Sequence, residues 1–215
     1  MNQLLNEQST VTTSNTVGEI FPFYSMGDAL AKESRPPADL IAPRVLVHGE
    51  TVILGGPAKS GKTDFLISLL IHLAAGEEFL GFKPPRPLKV VYLQAEGRYP
   101  YFKERIRMSH LDSLLQGIAG KNLSIIAEIP LILDEEGVDK IRRSILINCE
   151  DAPVDVIAID SLQSVFDYTL GDINTYRGLQ SFMDTRLEKL RDSVNPKAGV
   201  ILTHNTRRQT SQEME

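Results

Sequence analysis

The chain has 215 residues, 42% of them hydrophobic and 24% charged, a balance that excludes wholesale disorder, collagen-like repeats and a coiled coil as the main architecture. At about 150 residues per domain, this length suits one domain with an appendage. A net charge of −5 excludes a global electrostatic grip on nucleic acid and leaves only local basic loops for that purpose.

Residues 1–39 form a polar, flexible lead-in, rich in Asn, Gln, Ser and Thr at its start, with a short helix predicted at Met26–Glu33 and broken by Ser34-Arg35-Pro36-Pro37. The start of the chain shows neither a basic segment nor a long apolar one, so no secretory signal is read there. From there apolar strands and helices alternate. Val52–Leu54 is a strand that ends in Gly55-Gly56, and the helix after it carries apolar residues from Phe65 to Ala75 and is closed by Gly76. Val90–Leu93 is a buried strand, Tyr101–Ser109 a helix, and Ser124–Ala127 a weaker strand. Val138–Ile147 is a helix, and Val154–Ile159 a largely apolar strand. The segment Phe166–Thr175 reads as a mobile loop, Tyr176–Val194 as an amphipathic helix and Gly199–Thr203 as the last strand.

Strands that alternate with helices imply right-handed crossovers and a mostly parallel sheet, and continuous apolar strands imply helices on both of its faces. The domain is expected over residues 40–208. The polar tail 209–215 closely follows the last strand, where folds of this type often continue, and so reads as the end of either a fragment or a minimal core. The longest apolar stretches are too short for the roughly 20 residues that a membrane span needs. The single cysteine, Cys149, allows no internal disulfide, which suits a reducing, cytoplasmic setting.

Four motifs carry chemistry. Gly56-Pro57-Ala58-Lys59-Ser60-Gly61-Lys62-Thr63 matches the phosphate-binding pattern GxxxxGK[ST] between a strand and a helix. Glycine lets phosphate oxygens approach the backbone N–H groups, and the helix dipole favours their charge. Lys62 would reach the β- and γ-phosphates of ATP, the Thr63 hydroxyl would coordinate Mg2+, and Asp64 completes the nucleotide-binding segment. Asp160 stands at the C-terminal end of an apolar strand, where a Mg2+-associated carboxylate is expected. Glu96 stands just past the strand ending in Leu93-Gln94-Ala95, at the same sheet edge, where a carboxylate can orient or deprotonate an attacking water. Thr203-His204-Asn205-Thr206-Arg207-Arg208 follows the last strand; its polar residues suit sensing of the γ-phosphate and its arginines suit stabilisation of transition-state charge, in this subunit or a neighbour.

This series of motifs resembles the RecA-type ATPases, specifically the RepA-like AAA ATPases related to hexameric replicative helicases. Leu40 to Arg107 carries most of the likeness, including Val47-His48-Gly49-Glu50 and Ala74-Ala75-Gly76-Glu77-Glu78-Phe79-Leu80-Gly81. The resemblance implies an α/β, RecA-like P-loop core with Glu96 as catalytic base, Asp160 assisting Mg2+ and His204 in the sensor position, although the family commonly has two adjacent histidines where this chain has His204-Asn205. It also implies a homo-oligomer, a hexameric ring, acting on single-stranded DNA through local loops. The loop 166–175 does not support such contact by charge, with Asp167 and Asp172 and no lysine.

Tyr99, Tyr101 and Phe102 suit either base stacking or packing of a helix on the sheet, and Arg142, Arg143, Lys189 and Arg191 are expected on solvated helix faces. Beside the main expectation, a Mg2+-dependent ATPase that drives a DNA helicase or another replication or recombination motor, stand a P-loop kinase of small molecules and a nucleotide-gated regulatory module with little turnover. The arginine-rich lid that a kinase would need is not visible in the sequence.

Overall fold

The computed structural model describes residues 25–31, 36–96, 99–108, 112–127, 132–149 and 151–206. The chain divides into two units, Met1–Pro36 and Pro37–Glu215. In the first, α1 (Met26–Ala31) starts from a reciprocal cap, in which the Asp28 N–H donates to Ser25 Oγ and the Ser25 N–H donates to the Asp28 carboxylate.

In the second unit five strands form one parallel sheet: β3 (Thr51–Pro57), β4 (Val90–Gln94), β5 (Leu123–Ala127), β6 (Val156–Asp160) and β7 (Gly199–Thr206), in the spatial order β3-β7-β6-β4-β5. Alternate residues of each central strand enter opposite cores. Val90, Tyr92, Val156, Ala158 and Ile201 pack with α2 (Lys62–Ala75), α3 (Tyr99–Met108) and α4 (Ser113–Asn122). Val91, Leu93, Ile157, Ile159, Val200 and Leu202 pack under α5 (Glu135–Asn148) and the helical segment after residue 175. This accounts for strands that are apolar at nearly every position: both faces are covered. The fold is α/β with a parallel sheet, as the alternation of elements implies, and it matches the RecA-like P-loop core that the resemblance of the motifs implies.

The Gly76 closure of α2 is present. Gly76 has φ +81°, and a Cβ there would lie 2.7 Å from the ring of Pro87. Gly76→Ala is therefore expected to destabilise the fold by about 1–3 kcal/mol, read as a lowered midpoint in denaturant with unchanged slope.

Several elements differ from expectation. A small antiparallel pair, β1 (Asp39–Ile41) with β2 (Leu46–Val47), precedes the sheet and buries Leu40, Ile41 and Leu46 against the α2 side of the core. The helix α4, where no element was expected, is capped by Asp112, whose carboxylate accepts from the Leu115 N–H at 2.8 Å. The expected helix Tyr176–Val194 is α7 (Tyr176–Phe182) and α8 (Glu188–Val194) joined by a π-helical turn, Met183–Leu187. Between β6 and α7 lie a short helix, α6 (Leu162–Val165), and a 3-10 turn, Tyr168–Leu170, inside the segment read as a mobile loop. That segment is anchored at its start, where Phe166 is buried and the buried Asp167 pairs with Arg186 at 3.0 Å. Arg191, expected in solvent, is largely covered instead and donates to the carbonyl of Gly49 at 2.6 Å, tying α8 to the turn before β3. Arg142 and Arg143 both pair with Asp139 on the outer face of α5. Among the described residues no helix is long and apolar enough to cross a membrane.

Candidate functional site

Parallel strands align all their carboxyl ends on one edge. Gly56 at the end of β3 is in register with Asn205 on β7, and Asp160 at the end of β6 with Gln94 on β4. The phosphate-binding motif, the β7 end and both candidate carboxylates therefore lie on one side of the sheet, the side where open α/β sheets bind ligands.

The motif itself spans the end of β3, a tight turn and the start of α2. Lys59 and Gly61 both adopt left-handed backbone conformations, with φ 64° and 87°. Turns of this kind direct successive N–H groups into one concavity. Gly61 is the N-cap of α2 and has no side chain to satisfy the helix's first N–H groups, whereas α4, α5 and α7 are capped by Asp112, Asp134 and Thr175. An uncapped helix start of this length favours an anion there. A Cβ on Gly56 would sit 3.1 Å from Ser60 Oγ, a tight approach that the serine side chain would have to yield to. Lys62 folds back over the turn, its Nζ donating to the carbonyls of Gly56 and Pro57, each at 2.9 Å.

The turn opens on a cavity of about 510 Å³, a size that suits a small ligand. Ala58, Lys59, Ser60, Gly61, Lys62, Thr63 and Asp64 line it on one side, and Glu96, Asp160, Asn205 and Arg105 on the other. Asp160 is 2% exposed, and its two carboxylate oxygens accept from Thr203 Oγ1 at 2.5 Å and from the Tyr92 hydroxyl at 3.2 Å. Burial first, and then the Asp160 charge, push the Tyr92 hydroxyl far above its ordinary range, so it stays a proton donor to that carboxylate. Two hydroxyl donors are the compensation that a buried carboxylate needs. The backbone carbonyl of Asp160 also accepts from the N–H groups of Ala95 and Glu96, at 2.8 and 3.0 Å, which fixes the start of the Glu96 segment beside β6. The Glu96 side chain is exposed to the cavity.

The residues after β7 divide by face. Thr203 and Asn205, two apart, serve the α2 side: the first is buried on Asp160 and the second lines the cavity. His204 lies between them and turns to the other face, where its Nδ1 accepts from Gln163 Nε2 at 2.9 Å; the same amide donates to the Asn205 carbonyl at 3.1 Å. The period of two along a strand thus puts Asn205, and not His204, among the residues that line the cavity. Burial, and secondarily Lys62, hold the imidazole of His204 below the usual histidine range; in the neutral ring, Nδ1 as acceptor leaves the proton on Nε2. Arg207 and Arg208 lie outside the described residues. Phe102 is buried 5.8 Å from the Tyr92 ring, and Tyr99 stacks on Phe102 at 6.2 Å, so these two aromatics fasten α3 to the sheet while Tyr101 is exposed.

The sequence reading did not single out Arg105 or Gln163. Arg105 is a basic residue on the helix that follows Glu96, and its Nε meets Asp64 Oδ1 at 3.0 Å. Its signal in the sequence was only that position. Gln163 carried none, because its partners are some 41 residues away along the chain.

Asp160 and Thr63 offer hard oxygen donors of the kind Mg2+ takes together with substrate phosphates. Among the described residues no group of three or more His, Cys, Asp or Glu side chains could hold a metal by itself.

A family model described as "AAA domain" matches residues 19–211. Among solved structures the fold is similar to that of a KaiC-like protein from the hyperthermophilic archaeon Pyrococcus horikoshii OT3, with a TM-score of 0.50 and 18% identity over 81% of this chain and 68% of that one. No curated protein sequence matches the chain.

Proposed function

The chain belongs to the AAA domain family, and from that premise we propose that it is a Mg2+-dependent ATPase that works as a motor on single-stranded DNA in a homo-oligomeric ring. One observation carries the catalytic part: a complete phosphate-binding turn faces Glu96 and Asp160 across a single cavity. The N–H groups of the turn and Lys62 bind the phosphates of ATP, and Thr63 and Asp160 hold Mg2+ against them. Bound there, Mg2+ neutralises phosphate charge and polarises the bond that breaks. Glu96 accepts a proton from the attacking water, and Asp160, whose oxygens already accept from Thr203 and Tyr92, serves the metal instead.

The DNA part rests on the resemblance of the motif order to RepA-like ATPases, and the ring on the arginines that follow β7. ATPase rates measured with and without single-stranded DNA test the first: stimulation is expected. An unstimulated rate excludes the motor reading, and transfer of phosphate to a small molecule replaces it with a kinase. A mixture of inactive chains tests the second. Lys62→Ala chains keep their arginines, and Arg207→Ala/Arg208→Ala chains keep their phosphate-binding turn. If the arginines act across an interface, mixing restores activity to about a quarter of the parent rate, because random pairing makes about one interface in four complete on both sides. No recovery shows that the arginines act within their own subunit, and an active double-arginine variant removes them from the site.

A further inference from the structure

We propose that Gln163 is a positioning residue of the nucleotide site: its amide holds the carboxyl end of β7 so that the Asn205 side chain faces the terminal phosphate of a bound nucleoside triphosphate. The inference rests on the nucleotide reading above and adds to it a residue outside every motif of the series.

Three observations carry it. First, β7 loses one neighbour where it reaches the site. On one side β3 pairs with it as far as Pro57 with Thr206. On the other, the register with β6 ends at Ile159 with Leu202. Beyond that point polar side chains take over: Asp160 holds Thr203, and Gln163 holds the two residues that follow. Pairing is what enforces the alternation of a strand, and alternation decides which side chain faces the cavity. Second, one amide makes both bonds. Gln163 Nε2 donates to His204 Nδ1 at 2.9 Å and to the Asn205 carbonyl at 3.1 Å, and its two protons let both form at once. Turned over, the amide would set its oxygen against that carbonyl. The bonds hold the His204 ring on the far face and the Asn205 main chain in place, while the Asn205 side chain lines the cavity. Third, Gln163 is a poor packing residue. Its Oε1 is buried and has no hydrogen-bond partner among the described residues. A buried acceptor left unpaired opposes folding, so the side chain suits its two donated bonds rather than its place in the core. It stands on α6, three residues after Asp160, so the segment that presents the metal-side carboxylate also sets Asn205.

The rival role is a strut between α6 and β7 with no part in reading the phosphate. The two differ in how Gln163 combines with Asn205. Asn205→Ala removes the cavity amide and keeps the carbonyl that Gln163 holds. For a strut, the losses from Gln163→Leu and Asn205→Ala multiply, because they act separately. For a positioning residue the double variant is no worse than Asn205→Ala alone, because the side chain that Gln163 positions is already gone.

The test measures turnover at saturating ATP and Mg2+, affinity for ADP, and the nitrogen NMR spectrum of the His204 ring, all on the full chain. Gln163→Leu is expected to slow turnover by about 10- to 100-fold, the range of two neutral hydrogen bonds, and to weaken ADP by less than about threefold. The double variant with Asn205→Ala should match Asn205→Ala to within about twofold. Gln163→Glu keeps the shape of the side chain and has no donor for the Asn205 carbonyl; it should lose as much, and it takes the place of Gln163→Leu if that variant melts below the assay temperature. The ring signals of His204, identified by their loss in His204→Gln, should show the proton on Nε2 in the parent and both tautomers in Gln163→Leu. Losses that multiply, an ADP loss as large as the loss of turnover, a glutamate variant as active as the parent, or a parent ring with its proton on Nδ1 would overturn the proposal. A parent chain that neither binds nor hydrolyses ATP removes the nucleotide reading and this inference together. An active parent in which the two losses multiply removes this inference alone.

Discussion

Lys62→Ala is expected to lower nucleotide affinity by about 10²–10⁴-fold and to leave the fold intact. In the structure the Lys62 ammonium lies across the turn, 2.9 Å from the carbonyls of Gly56 and Pro57. Those bonds hold the side chain at the mouth of the cavity, where arriving phosphates would take them over. A charge-assisted hydrogen bond contributes about 1.5–3 kcal/mol, so loss of two such contacts to phosphate removes about 3–6 kcal/mol of binding, and each 1.4 kcal/mol is tenfold. In the free protein the loss is far smaller. Water reaches the Pro57 carbonyl, and the packing of α2 rests on Leu66, Leu70 and Leu73, which face away from the cavity into the core. Titration calorimetry with ATP and Mg2+, beside a thermal melt, separates the two effects. A variant that hydrolyses ATP at the parent rate would show that the assignment of the site is wrong.

Glu96→Gln is expected to bind ATP as the parent does and to turn it over about 10²–10⁴-fold more slowly, the usual loss for a general base. The amide keeps the shape of the side chain and cannot take the proton. Three carboxylates line the cavity; Asp64 is paired with Arg105, and the structure distinguishes the other two. Asp160 is buried and already accepts from two hydroxyls, whereas Glu96 is exposed to the cavity on a segment whose backbone is pinned to the end of β6. A carboxylate with water around it is the one able to receive a proton from water. Single-turnover kinetics at saturating ATP check this, because they read the chemical step apart from product release. Normal turnover in the variant moves the base elsewhere, with Asp160 the first suspect.

These two residues were legible in the sequence because each lies within a few residues of the feature that identifies it. Gly56 to Thr63 is a contiguous pattern between a strand and a helix, and local geometry does the rest: left-handed turns at Lys59 and Gly61 and an uncapped helix start. Glu96 and Asp160 follow apolar strands, and parallel pairing brings any such strand ends to one edge. The elements that were missed had weak or misleading local signals. Gly117 and Gly120 disfavour helix inside α4, yet the helix forms because Asp112 caps its start, Ala119 is buried in the core and Asn122 donates to the Ala74 carbonyl of α2. The pair β1–β2 is too short to show a period of two. The π-helical turn within the last long helix leaves the apolar pattern of Tyr176–Val194 intact, so the pattern cannot disclose it.

The sequence by itself determined the α/β class, the parallel sheet with both faces covered and the phosphate-binding turn, because these follow from periodicity and from a contiguous motif. Only the tertiary structure decided which polar groups share the cavity. His204 and Asn205 are adjacent in sequence, and the alternation of the strand sends one to Gln163 and the other to the site. Tyr92 reads as a core aromatic, and it is one; its hydroxyl also serves Asp160, 68 residues away along the chain. Arg191 reads as a solvated helix charge until the turn at Gly49 is packed beside it. Arg105 joins Asp64 only once α3 is packed beside α2. In each case the deciding contact joins residues far apart in the chain, and its energy depends on burial and direction, which exist only after the sheet has closed its two cores.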